Sequence, residues 1–306
     1  MIVISAHSGA VPRIALAFRL ALATVGVLAV GAATGGCSSA PAAGKSDVAV
    51  VAAFYPLQFV AERVGGDRVT VTNLAKPGAE PHDLELQPRQ LASLVDADLV
   101  VHLGGFQPAV DEAIEAEAKK KALDAATVQP LVDNDPHVWL DPIRLAAIGD
   151  RVAERLGAVD EKNADAYRDR AAALRADLTA LDTEFSNGLK TCARHDIVTS
   201  HAAFGYLAAR YGLTQVPISG LSPDAEPTPQ RVAQVAALAR SRNVTTIFFE
   251  TLVSPKIAET LATEVGARAE VLDPIEGLEP GAAPGTDHLS VMRQNLAKLR
   301  AALGCS

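Results

Sequence analysis

The chain has 306 residues, 49% of them hydrophobic, and its 36 Asp and Glu outnumber its 28 Lys and Arg to give a net charge of −8. An acidic balance argues against nucleic acid or anionic lipid as the main partner and is compatible with attracting cations. The length exceeds the usual single domain, so one large α/β domain or two smaller ones are expected.

The first 36 residues read as a leader. Arg13 and Arg19 are the only charged residues there, and the run from Leu20 to Ala33 is apolar. At about 14 residues this run is short for a bilayer and suits the hydrophobic region of a signal peptide. It ends at TGGC, where Gly35, Gly36 and Cys37 followed by two serines resemble a bacterial lipoprotein signal, with Thr34 departing from the usual aliphatic residue. Cys37 is the expected lipid attachment and residues 37–47 a flexible tether. The globular part is then extracytoplasmic, anchored to the bacterial cell membrane, and carries a net charge of −10 once the two leader arginines are removed.

Strand and helix signals then alternate. VAVVAAF (48–54) reads as a buried strand, PLQFVAERVG as a helix ended by glycine, and VTVTNL (69–74) as a second strand. A helix over Pro88–Val95, the strand ADLVVHLG (97–104) and a helix beginning after Pro108 follow, with a short connection through residue 134. Residues 160–190 contain no proline, and no glycine before Gly188. Their apolar residues fall three and four apart, which predicts one long helix of about 28 residues and roughly 42 Å. Beyond it the rhythm repeats: strands in HDIVTS, TQVPIS, VTTIFFE and AEVLDP, and helices in AAFGYLAARYG, Pro229–Arg240 and PKIAETLATEVG. The pattern predicts an α/β fold of two lobes with mostly parallel sheets, residues 48–158 and 191–306, joined by a rigid helix within 159–190. In an exported chain Cys192 and Cys305 are expected to form a disulfide, stabilising by about 4 to 5 kcal/mol on the chain-entropy model.

Three histidines occupy loops at strand ends. His137 lies in DPHVWLDP (135–142), where two prolines hold Asp135 and Asp141 out of helical geometry. His82 lies in a loop containing AEPHDLEL, and His201 follows an apolar strand in IVTSHAAFGYL. Imidazoles delivered from three separate strand ends point to a metal site. His7, His102, His195 and His288 have ordinary explanations: the leader, two strand edges, and a helix start beside Asp287. Trp139 reads as a packing anchor, while Asp141 and Glu250 are candidates for hydrogen bonds to ligating imidazoles.

AEPHDLEL, DPHVWLDP, TSHAAFGYLAARYGL, LSPDAEPTPQRVAQV, FFETLVSPKIAETLA and LDPIEGL together resemble the solute-binding lipoproteins of zinc and manganese ABC transporters, over nearly the whole chain after the leader. The resemblance implies two lobes on a rigid helix, with metal ligands at His82, His137, His201 and Asp273; Glu80 or a water could replace the aspartate. It also implies delivery to a membrane permease by a monomer. Members preferring manganese usually have glutamate where His201 stands, so three imidazoles and one carboxylate favour Zn2+ over Mn2+. The long histidine-rich loop of many zinc-binding members has no counterpart in residues 107–134. The alternatives are a manganese-preferring receptor of the same family, a zinc hydrolase, for which no H-E-x-x-H is present, and a metal-stabilised adhesin.

Overall fold

A computed structural model describes residues 48–128 and 131–306; the leader, Cys37 and the tether lie outside them. The first lobe is built from β1 (Val48–Ala52), α1 (Tyr55–Gly65), β2 (Val69–Asn73), α2 (Pro88–Asp96), β3 (Leu99–His102), α3 (Pro108–Glu117) and β4 (Ala122–Asp124). Its strands are all parallel in the order β2-β1-β3-β4. β1 and β3 are central and, apart from exposed Ala49, buried, which is why they read as continuous apolar runs. β4, inside the stretch expected to be a connection, has three residues, too few for a strand period to register in the sequence.

Two antiparallel-connected helices follow, α4 (Pro142–Val159) and α5 (Ala164–Gly188). The expected long helix is α5, with 25 residues and so about 37 Å of length. Its buried stripe is Tyr167, Ala171, Leu174, Leu178, Leu181 and Phe185. This stripe packs on α1 and α4, and the same helix packs on the last helix of the chain. Arg63 of α1 pairs with Asp177, while Glu184 takes a two-pronged hydrogen bond from Arg293 at 2.9 and 3.0 Å. α5 is therefore fastened to both lobes.

The second lobe contains β5 (Asp196–Thr199), α6 (Gly205–Tyr211), β6 (Thr214–Pro217), α7 (Pro229–Ser241), β7 (Thr246–Phe249), α8 (Lys256–Val265), β8 (Arg268–Val271) and α9 (His288–Leu303). Its parallel order, β6-β5-β7-β8, repeats that of the first lobe. α9 starts with a capping box between Asp287 and Ser290, and a disulfide between Cys192 and Cys305 ties its end to the entry of the lobe. Among the described residues no helix is long and apolar enough to cross a membrane.

Candidate metal centre

In open parallel sheets the strand carboxyl ends face the crevice where ligands bind. His82 lies in the loop after β2, His137 in the segment between β4 and α4, and His201 in the loop after β5; the fourth converging side chain, Glu276, lies in the loop after β8. The four ligand atoms lie within 4.8 Å of one another. His137 and His201 are 0% exposed, Glu276 1% and His82 9%, so the cluster is closed to bulk water.

Four of the six ligand-atom separations are those of a coordination shell, and the two between His82 and the other imidazoles lie within 4.8 Å. Oε1 of Glu276 lies 3.1 Å from Nε2 of His137, 3.3 Å from that of His201 and 3.5 Å from that of His82. The Nε2 atoms of His137 and His201 are 3.2 Å apart. A tetrahedron with bonds of about 2.05 Å has edges of about 3.3 Å.

Local chemistry orients two of the rings. Pro136 turns the chain so that Oδ1 of Asp135 accepts from the His137 backbone N–H at 2.9 Å and lies 2.7 Å from its Nδ1. Oε1 of Glu250, just past β7, lies 2.6 Å from Nδ1 of His201. Both rings thus present Nε2 to the centre. His82 is held differently, with its ring edge-on to Phe106 at 4.6 Å.

Electrostatics follow from a carboxylate surrounded by imidazoles. Burial disfavours charge on His201, but Glu250 and Glu276 outweigh it and push its pKa up to about 10. His137 is likewise raised, burial being overcome by Asp135 and Glu276. Glu276, although buried, is held well below the usual carboxylate range by its three histidine partners. Glu80 accepts from the His82 backbone at 3.0 Å, and burial followed by the neighbouring Glu276 pushes it up to about 8. It is thus poised to remain neutral while Glu276 carries the charge.

Two sequence expectations are corrected by these positions. Asp273 is not the carboxylate of the cluster: its Oδ1 accepts from Ile275 N at 2.7 Å, closing a turn that sends Glu276 inward instead. Burial pushes the Asp273 carboxyl up to about 6. Asp141 does not bond an imidazole either. It caps α4, accepting from the N–H groups of Ile143 and Arg144, and faces Arg210 at 3.5 Å. The imidazole partner is Asp135, six residues earlier in the same motif, whose signal was the Asp-Pro-His turn itself.

A family model described as the periplasmic component A of the zinc-uptake complex matches residues 50–302. The chain belongs to this ZnuA family. The high-affinity zinc uptake system protein ZnuA of Bacillus subtilis is 32% identical over 296 residues, covering 87% of this chain and 92% of that protein. The zinc-binding lipoprotein AdcA of Streptococcus pneumoniae TIGR4 is 33% identical over 274 residues, covering 82% of this chain and 55% of AdcA. The chain thus spans about half the length of such streptococcal ZnuA-family relatives. The solved Zn(II)-bound ZnuA-like domain of S. pneumoniae AdcA superposes with a TM-score of 0.75 at 34% identity, covering 84% of this chain and 99% of that domain. The likeness to solved structures supports the two-lobe reading, and the relatives' names concern zinc binding and zinc uptake.

Proposed function

We propose that this chain is the extracytoplasmic receptor that captures Zn2+ between its two lobes and delivers it to the membrane permease of an ABC transporter. The observation that carries this reading is the buried cluster of His82, His137, His201 and Glu276, whose ligand atoms lie within 4.8 Å of one another and whose carboxylate oxygen lies 3.1–3.5 Å from all three imidazoles. Three imidazole nitrogens and one carboxylate oxygen suit zinc, whereas manganese favours harder, oxygen-rich surroundings. Four protein ligands close the shell, so no position is left for a water to be activated, and the chain is a binder rather than an enzyme.

Capture is an exchange of protons for metal. The incoming ion is the cargo; His137 and His201 release protons to receive it, Glu276 supplies charge, and Asp135 and Glu250 keep both rings aimed. Residues 1–36 serve as the export leader, Cys37 as the lipid attachment and residues 37–47 as the tether that holds the receptor monomer near its permease.

The test is metal stoichiometry and affinity of the metal-stripped protein, by elemental analysis and competition with a chelator. One tightly held zinc, with manganese far weaker, is expected; equal manganese binding would refute the zinc assignment, and no tight metal would refute the receptor.

A further inference from the structure

The turn that carries Glu276 into the shell is strained. Ile275 is β-branched and fully buried, yet its φ is 59°, in the left-handed region that such residues avoid. Something must hold it there. Within its own loop, Oδ1 of Asp273 accepts from Ile275 N at 2.7 Å. Asn295 holds the Asp273 backbone from α9, accepting from its N–H at 3.1 Å and donating to its carbonyl at 2.7 Å, and Gly78 N–H donates to Leu278 O at 2.9 Å. The restraint directly on the Pro274–Ile275 peptide comes from across the lobe boundary: the indole Nε1–H of Trp139 donates to the carbonyl of Pro274 at 2.7 Å.

Trp139 sits in the short 3-10 turn Val138–Leu140, directly after His137 and before α4. It is 1% exposed, and its ring packs on Phe54 at 4.9 Å, His137 at 5.1 Å and Phe106 at 5.7 Å. Phe106 in turn supports the ring of His82. The same side chain therefore rests on the packing that sets both first-lobe imidazoles and bonds the turn that sets the second-lobe carboxylate. An apolar anchor needs the ring but not the N–H, and here the N–H is spent on one buried carbonyl.

We propose that Trp139 is a positioning residue for metal capture: its N–H, given to Pro274 O between the lobes, keeps Ile275 left-handed and so holds Glu276 against the three histidines. The inference rests on the zinc-receptor reading and adds to it a ligand whose place depends on the opposite lobe.

The experiment is a two-by-two cycle read as zinc affinity by chelator competition. Wild type, Trp139→Phe, Ile275→Gly and the double variant are compared, because glycine adopts positive φ without penalty. Trp139→Phe should weaken zinc about tenfold, equivalent to about 1.4 kcal/mol, when Ile275 is intact. In the Ile275→Gly background the same substitution should cost less than threefold. Trp139 is the sole tryptophan of the chain. Replacing it during expression with 3-benzothienylalanine, which keeps the bicyclic ring and lacks the N–H, should therefore reproduce the tenfold loss even if Trp139→Phe fails to fold. An equal loss in both backgrounds, or full affinity with the benzothienyl analogue, would overturn the inference while leaving the receptor intact. A wild-type protein without tight zinc would instead remove the receptor reading, and this inference with it.

Discussion

Zinc affinity should fall steeply with acid even well above the ordinary histidine range. In the metal-free cluster burial lowers the His201 pKa, but Glu250 and Glu276 raise it more, to about 10, so at pH 8 and at pH 6 alike the ring carries a proton that zinc must displace. One displaced proton makes the binding constant fall tenfold per pH unit. Between pH 8 and pH 6 that is about a hundredfold, or about 2.7 kcal/mol. His137 is raised as well, so its proton steepens the slope toward two wherever the pH lies below its own value. The assay is chelator competition at pH 6, 7 and 8, corrected for the chelator's own protonation, with calorimetry in buffers of different ionisation enthalpy to count protons released. Ordinary imidazoles titrating near 6.5 would give affinity almost flat from pH 7.5 upward. A flat profile between pH 7.5 and 8, or binding without proton release, would refute the carboxylate-held cluster.

Other outcomes follow from the same geometry. In the metal-free protein, the raised His201 contributes stability that is fully present below its unfolded value of 6.5 and is lost as pH climbs through about 10. The depressed Glu276 contributes stability present above 4.5 and lost as pH falls through its folded value. Melting temperature should therefore decline from neutral pH toward both extremes; a metal-free Tm still rising from pH 7 to 10 would contradict this. Asp135→Asn or Glu250→Gln should weaken zinc about 10–100-fold by misdirecting a ring, as titration of each variant would show, and unchanged affinity would mean that the rings are set by packing. Glu276→Gln should cost more than either, and Asp273→Asn less than tenfold; the reverse order would restore Asp273 as the ligand. Replacing Cys192 and Cys305 by serine should lower unfolding free energy by about 4–5 kcal/mol in denaturant titrations, and a loss under 1 kcal/mol would mean that α9 is held by its packing alone.

Much of this was legible in the sequence because it depends on period and punctuation. The α5 stripe from Tyr167 to Phe185 is a three-and-four spacing that any amphipathic helix must show, and the buried strands are unbroken apolar runs for the same reason. The three histidines stood out because each sits in a loop or at a strand end, His137 between two prolines, His82 in a Gly- and Pro-containing loop and His201 directly after an apolar strand. The fourth cluster residue was not legible. LDPIEGL offers two carboxylates three residues apart, and choosing between them requires knowing that Asp273 spends an oxygen on Ile275 N and that Ile275 is left-handed. A β-branched residue gives no advance sign of positive φ, because nothing local favours it. Asp141 misled for a related reason: an aspartate before proline is also an N-cap, and the helix claimed it. β4 was missed because three residues carry no period.

The four cluster residues divide evenly, His82 and His137 before α5 and His201 and Glu276 after it. On the receptor reading each lobe alone would be a two-toothed chelator, and the stiff helix would hold the second pair at high local concentration relative to the first. A docking partner need not compete for the ion chemically. By easing the lobes apart it would dissolve the chelate advantage, and the ion would be left on two ligands with water free to take the other positions.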